Sequence, residues 1–258
     1  MPHASVPAVP ERPASYVISL RPAGEHATLE RAAAARGLGL IALSPWRIVH
    51  RDDPAARTAL AAALDAPVTI FTSPPAVAAA AALMPLAGAG ARLAVGAGTC
   101  AALRAAGVAN AAAPERQDSE GLLAMPQVDA AAVRGRIVGL VTAPGGRGQI
   151  AAELVARGAR VVRADVYVRD PLPLDTAAIA QLLDTGDAPL LLPLTSGEAL
   201  QRVLEALPGP AARRLRSARV VAASERLADL ARASGFAHAR AAHSPQPEAL
   251  LAAAMALP

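Results

Sequence analysis

Lysine is absent from the 258 residues, tryptophan and cysteine each occur once, and aromatic residues make up only 2% of the chain. A single cysteine, Cys100, excludes an internal disulfide and a cysteine-built metal centre, and it fits a reducing compartment. With so few rings, the core has to be closed by aliphatic residues and alanine, and a stacking platform for nucleic-acid bases is missing. The five histidines (His3, His26, His50, His238 and His243) show neither metal-ligand spacing nor the partners of a catalytic triad, so no metal is expected. Long apolar runs are also lacking. The uncharged stretch from Val68 to Ala91 is broken by Pro74, Pro75 and Pro85, and alanine contributes little transfer energy, so no membrane span is expected. The opening Met1 to Pro13 is rich in proline and has no apolar centre, so it does not read as a signal peptide, and the cytoplasm is the expected location.

What is present is alanine, arginine and a repeated local phrase. Hydrophobic residues reach 53%, enough for a full core, and the formal charge is +4 with all 25 cations arginine. That balance suits an acidic ligand. The densest basic run, Arg213-Arg214-Leu215-Arg216-Ser217-Ala218-Arg219, has no interleaved aromatics and leads into a strand-like Val220-Val221, so it reads as a solvated surface rather than a nucleic-acid site.

The phrase is strand, hydroxyl pair, helix. Val68-Thr69-Ile70-Phe71 runs into Thr72-Ser73-Pro74-Pro75 and an alanine-rich helix, and Leu190 to Leu194 runs into Thr195-Ser196-Gly197 and another helix. This pattern belongs to parallel sheets, whose carboxyl edges present helix N-termini. Those ends carry unpaired N–H groups and about half a positive charge, so they suit anions.

Further strand cores are expected at Tyr16 to Leu20, Leu38 to Leu43, Arg92 to Val95, Ala109 to Ala113, Arg136 to Val141, Ala159 to Val162, Ala218 to Val221 and Ala237 to Arg240, with a helix over Glu25 to Arg36. Two stretches, Ser44 to Asp53 and Val166 to Pro171, read as extended crossing segments. The middle of the chain supplies roughly five strands and the carboxyl-terminal part only three, too few for a lobe unless the two amino-terminal strands join them. The economical solution is a discontinuous terminal lobe, residues 1–46 with 172–258, interrupted by an inserted lobe, residues 52–165, with crossing linkers 47–51 and 166–171 and a ligand cleft between the lobes. Pro193 removes a ladder N–H, so the strand Leu190 to Leu194 is expected to be bulged or at a sheet edge.

Candidate ligand groups follow from the same rule. Ser73, Thr99, Ser119, Ser196 and Ser224 each stand where a helix begins, and a plain capping role is the alternative for each. The turn Gly145-Gly146-Arg147 lets backbone approach a ligand and offers a cation for a carboxylate. Arg21 closes the first strand, with a structural ion pair as its other reading. Tyr167 is one of only two tyrosines and occupies a crossing segment, where its phenol could pack or donate a proton. Gly96-Ala97-Gly98-Thr99-Cys100-Ala101 formally satisfies a G-x-G-x-x-A dinucleotide fingerprint, with Glu115 at about ribose distance. Against a nucleotide-dependent oxidoreductase, an earlier strand and helix already precede that turn.

Taken in order, Ser19-Leu20-Arg21-Pro22, Gly37 through Pro45, Phe71-Thr72-Ser73-Pro74 with Ala76-Val77, Val95-Gly96 with Thr99, Ser119-Glu120-Gly121-Leu122, Gly145-Gly146-Arg147, Val166-Tyr167-Val168-Arg169, Thr195-Ser196 and Ala223-Ser224-Glu225-Arg226 resemble the uroporphyrinogen-III synthase family. The resemblance implies an α/β fold of two flavodoxin-like, doubly wound parallel-sheet lobes joined by a two-stranded linker. It also implies a cofactor-free lyase that dehydrates and cyclises hydroxymethylbilane, a linear tetrapyrrole with eight carboxylates, inverting its terminal ring through a spirocyclic intermediate. By motif position, Tyr167 falls on the tyrosine suspected of helping the hydroxyl leave, and Ser73, Thr99, Ser196, Ser224, Gly145, Gly146 and Arg147 fall on rims near substrate carboxylates. The expected partners are the substrate and, transiently, the enzyme that makes the bilane, with no nucleic acid or membrane, and the protein is expected to be a monomer. A two-lobed anion-binding protein without catalysis is the other reading of the same rims.

Overall fold

In a computed structural model, which describes residues 13–145, 148–242 and 247–255, the chain divides into two compact units. One comprises Met1–Pro45 with Leu172–Pro258, and the other Trp46–Pro171. We refer to them as the terminal and inserted units. No helix among the described residues is long and apolar enough to cross a membrane.

The terminal unit is built on β1 (Tyr16–Ser19), β2 (Gly39–Ala42), β9 (Leu190–Leu194), β10 (Arg219–Ala222) and β11 (Ala239–Ala241), in the order β11-β10-β9-β1-β2 and parallel throughout. Val17, Ile18, Ile41, Leu192, Val220 and Val221 are wholly buried, as a sheet covered on both faces requires. The expected edge position for Leu190–Leu194 is wrong: it is the middle strand. Tyr16 N–H donates to the Pro189 carbonyl, and Ala223 N–H to the Leu194 carbonyl, so odd-numbered residues of β9 face β1 and even-numbered ones face β10. Pro193 therefore lacks its N–H on the β1 side only. Pairing with β1 stops at Val17 opposite Leu191, while pairing with β10 continues through Leu194. Proline is tolerated at the centre of the sheet because it lies beyond the last residue of β9 that pairs with β1.

The inserted unit carries β4 (Val68–Phe71), β5 (Ala91–Ala94), β6 (Ile137–Thr142) and β7 (Arg160–Asp165) in the parallel order β5-β4-β6-β7. Both faces are packed: Phe71 and Val141 lie in one apolar cluster with Leu60, Val77 and Leu103, whereas Ile70 and Leu140 lie in another with Leu122, Ile150 and Leu154. The period-two alternation of the strands assigns these residues to opposite faces. The expected fifth strand at Ala109 to Ala113 reduces to one bridge, Leu93 opposite Ala112, since an alanine run ending at Pro114 has little β-propensity. The crossing segments pair antiparallel as β3 (Trp46–His50) and β8 (Tyr167–Pro171), with His50 opposite Tyr167.

Arg92 pins the amino-terminal edge of the inserted sheet. It is 3% exposed and donates to the Leu86 carbonyl (3.1 Å), the Leu64 carbonyl (3.0 Å) and Thr69 Oγ1 (3.2 Å). Burial lowers its pKa, opposed by Asp65. Beside it, Gly139 lets a helix end come close: a Cβ there would lie 2.1 Å from the Ala63 carbonyl oxygen, which also accepts from Thr69 Oγ1 at 2.9 Å. Renumbered within each unit, the strand orders are 2-1-3-4-5 and 2-1-3-4, the doubly wound pattern. In each, the crevice at the carboxyl ends of the first and third strands is where helices leave to opposite faces and room for a ligand remains.

Candidate active site

In the inserted unit that crevice lies between β4 and β6. It forms a pocket of about 190 Å³ whose lining includes Thr72, Ser73, Ser119, Thr142, Gly145, Arg163, Tyr167 and Arg169. Ser73 is the N-cap of the helix Pro74–Leu83 and accepts from Ala76 N–H at 3.3 Å, while Pro74 occupies the first turn, where no N–H is needed. Its Oγ also lies 3.2 Å from Tyr167 Oη. Tyr167 is 3% exposed and packs into the core cluster of Phe71, Val141 and Val166, so a rigid wall aims the phenol. Thr72 Oγ1 donates to Thr142 Oγ1 at 2.9 Å, joining the ends of β4 and β6. Arg163 donates to the Ala143 carbonyl (2.7 Å) and to Asp165 Oδ1 (2.9 Å).

The pocket thus gathers four residues expected from the sequence: Ser73, Ser119, Gly145 and Tyr167. Gly145 has φ +83°, a left-handed conformation that justifies its glycine, whereas Gly146 and Arg147 lie outside the described residues. Two assignments need correction. Ser119 does not cap its helix: Asp118 does, accepting from Gly121 N–H at 2.8 Å. Thr99 does not open its helix either. Gly96 is the N-cap, Thr99 follows three residues later and is 4% exposed, and Thr99 is not among the residues lining the pocket. The first amide of that helix, Ala97 N–H, is occupied by Gln117 Oε1 at 3.2 Å, and β5 is an edge strand. A dinucleotide fingerprint needs the opposite, open amides beside a central strand.

In the terminal unit the corresponding crevice, between β1 and β9, is a small hollow lined by Ser19, Leu20, Arg21, Leu29, Pro193, Thr195 and Leu250. Burial lowers the pKa of Arg21, opposed by Glu25. Ser196 caps the helix Gly197–Ala206, accepting from Ala199 N–H at 3.2 Å. Ser224 is the N-cap of Glu225–Ala233 but makes no side-chain capping bond. Two arginines of the basic run are structural here: Arg214 bonds Thr185, Ser217 and the Ala188 carbonyl, and Arg216 donates to the Ser234 carbonyl at 2.8 Å.

The sequence reading missed His26. Its Nδ1 lies 2.8 Å from Ser19 Oγ and its Nε2 2.9 Å from Ser44 Oγ, so one ring links the ends of β1 and β2. Desolvation lowers its pKa and the Arg21 charge lowers it further, while Glu30 and Glu25 oppose both. Thr142 and Arg169 were also missed. Thr142 ends β6 and Arg169 lies on a crossing strand, and strand order was needed to place them beside Ser73 and Tyr167.

A family model described as uroporphyrinogen-III synthase HemD matches residues 27–252. Among known proteins, the uroporphyrinogen-III synthase of Escherichia coli (strain K12) is 32% identical over 140 residues, 54% of this chain and 56% of that protein. The uroporphyrinogen-III synthase of Salmonella typhimurium is 34% identical over the same length and the same shares. The matched region is therefore about half the length of these relatives. A mutant uroporphyrinogen III synthase from the extremely thermophilic bacterium Thermus thermophilus superposes with a TM-score of 0.60 at 17% identity, covering 93% of this chain and 96% of the other. The uroporphyrinogen-III synthetase of Helicobacter pylori does so with 0.58 at 14%, covering 95% and 99%. At those identities the likeness speaks to the fold, two α/β lobes with parallel sheets.

Proposed function

The chain belongs to the uroporphyrinogen-III synthase family, and from that premise we propose that it converts hydroxymethylbilane to uroporphyrinogen III without a cofactor. The observation that supports this best is the phenol of Tyr167, held 3.2 Å from Ser73 Oγ in a pocket at the switch point of the inserted sheet. Loss of the terminal hydroxyl needs a proton on oxygen as the C–O bond breaks. Tyr167 Oη supplies it, water leaves, and the Ser73 hydroxyl donates to the phenolate that results. The electron pair of the adjacent pyrrole fills the gap and leaves an electrophilic methylene carbon. The substituted α-carbon of the last ring attacks it to form a spiro centre, the older bond from that carbon to its methylene bridge breaks, and the ring's unsubstituted α-carbon bonds to that methylene carbon, which inverts the ring. The proton lost on rearomatisation returns to Tyr167, so the net change is loss of one water.

The rest of the work is positioning. Ser73, Ser119 and Gly145 offer hydroxyl and backbone donors in the inserted unit, and Arg21, Ser196 and Ser224 offer theirs at the carboxyl edge of the terminal sheet. Thr99 would act only through the helix it belongs to, and Gly146 and Arg147 are proposed as further substrate-binding residues. A monomer in the cytoplasm, receiving its substrate by transient contact with the enzyme that makes the bilane, completes the reading; light scattering and cross-linking test those two points.

The deciding experiment incubates the purified chain with freshly generated hydroxymethylbilane, oxidises the product and separates the uroporphyrin isomers. Type III is expected. Only type I, the product of spontaneous closure, would defeat the proposal and leave the non-catalytic anion-binding reading.

A further inference from the structure

Arg21 follows β1 and lines the hollow of the terminal unit with Ser19 and Thr195. It is partly buried, and among the described residues its guanidinium has no hydrogen-bond or ion-pair partner. Arg92 and Arg214, whose pKa burial also lowers, differ: each donates to three protein acceptors. Unmatched donors on a partly buried cation are unfavourable, a cost that suits a group reserved for an anionic ligand.

Past Arg21 the chain turns back on itself. Glu25 N–H donates to the Pro22 carbonyl at 3.0 Å, Gly24 takes φ +84°, and His26 returns its ring to the residue where the loop began, with Nδ1 2.8 Å from Ser19 Oγ. Through Nε2 the same ring reaches Ser44 Oγ at 2.9 Å. The strands do not need these bonds to pair, since Ser19 already stands opposite Ala42 and its carbonyl accepts from Leu43 N–H at 2.8 Å. Nor does the ring cap the helix Ala27–Ala34, although His26 is its N-cap residue. What the Ser19 bond closes is the loop of residues 20–25, which carries Arg21. Desolvation and the Arg21 charge lower the pKa of the ring against Glu30 and Glu25. In the neutral ring one nitrogen donates and the other accepts, and both are engaged.

We propose that His26 is a positioning residue for substrate binding: by clasping Ser19 it fixes the loop that carries Arg21, and Arg21 holds a carboxylate of the tetrapyrrole at the hollow of the terminal unit. A loop already closed in the free protein loses less conformational entropy when the carboxylate arrives. The inference rests on the reading of the chain as a synthase. It assigns the two bonds of one ring different duties, the Ser19 bond to the Arg21 loop and the Ser44 bond to the strand ends.

Two measurements on the full chain test it. Asparagine places its amide where Nδ1 stands, and glutamine places its amide nearer Nε2, so His26→Asn keeps the Ser19 bond and His26→Gln gives it up. In steady-state turnover of hydroxymethylbilane, His26→Gln and His26→Ala are expected to raise KM about fivefold or more while changing kcat less, whereas His26→Asn restores KM to within about twofold of the parent. In the second, the Arg21 amide signal of isotope-labelled protein is followed by NMR while a monopyrrole bearing two carboxylates is added, with its dimethyl ester as the neutral control. The diacid is expected to give a saturable shift that the ester does not give, that Arg21→Met abolishes and that His26→Gln weakens about fivefold. A KM for His26→Gln within about twofold of the parent, in protein whose circular dichroism is unchanged, overturns the inference. So does an equal rise in KM for His26→Asn and His26→Gln. Should His26→Gln fail to fold, Ser19→Ala removes the clasp from its other side and carries the test: an unchanged KM and an unchanged titration in that variant reject the positioning role. If the parent protein makes only type I product the synthase reading falls, and the NMR titration still decides whether His26 positions Arg21 for a carboxylate.

Discussion

Phe71-Thr72-Ser73 in the inserted unit and Leu194-Thr195-Ser196 in the terminal unit are the same phrase with the same local outcome. Both serines cap a helix by accepting from the residue three positions on, at 3.3 and 3.2 Å. Beyond that bond they diverge. Ser73 also meets Tyr167, and Thr72 meets Thr142, because β6 and the crossing strand lie alongside. Thr195 faces the end of β1 instead, where Arg21 lines a much smaller hollow. The same Thr-Ser turn borders a pocket lined by Tyr167 in one sheet and an arginine-lined hollow in the other, depending on its neighbours.

The largest expected effect separates the two units by stability. Arg92→Met leaves the Leu64 and Leu86 carbonyls without their buried donor and is expected to destabilise the inserted unit by about 3–5 kcal/mol. Denaturant unfolding followed by Trp46 emission should show a lower midpoint, while hydrogen exchange of Val17 and Leu191 in the terminal sheet stays as it was. Equal loss of protection in both sheets would mean the two units unfold as one.

Next come the paired caps. Ser73→Ala and Ser196→Ala should each cost about 1 kcal/mol, since each removes one capping bond. Their kinetics should differ. Ser73→Ala should lower kcat as Tyr167→Phe does, and the double variant should be no worse than the more damaging single one. Ser196→Ala should act on KM alone. Matching kinetic profiles for the two serines would erase the distinction drawn between the pockets.

A smaller effect is pH-dependent and confined to the terminal unit. His26 has a folded pKa lowered by desolvation and by Arg21, so between that value and its ordinary value near 6.5 the unfolded chain binds more protons. Stability of this unit is therefore fully present above the ordinary value and is lost as pH falls through that window, levelling off below the folded pKa. His26→Asn should flatten the component, as read from thermal midpoints between neutral pH and about pH 5. Least of all, Ser224→Ala should cost only a few tenths of a kcal/mol, because that N-cap makes no side-chain bond to lose.

Each error of the sequence reading has its own physical cause. Thr99 and Ser119 read as helix starts because a hydroxyl is a visible signal, but a glycine cap has no side chain to announce itself and Asp118 stands one place earlier. His26 looks solitary in the sequence because its partners, Ser19 and Ser44, are 7 and 18 residues away. Pro193 looks like an edge marker, yet it loses its N–H only toward a strand that has stopped pairing.

By itself the sequence determined what depends on neighbours along the chain: buried parallel strands from runs such as Val68 to Phe71, helix starts from Ser73 and Ser196, and the discontinuous lobe from a count of strands. It also carried the ordered motifs that mark the family. Only the tertiary structure decided which strand ends lie side by side, and hence that Ser73, Thr142, Tyr167 and Arg169 share a pocket while Thr99 does not line it. The physical reason is that capping and alternation are satisfied within a few residues, whereas a site at a switch point is made by strand order, which brings together residues as far apart as Ser73 and Tyr167.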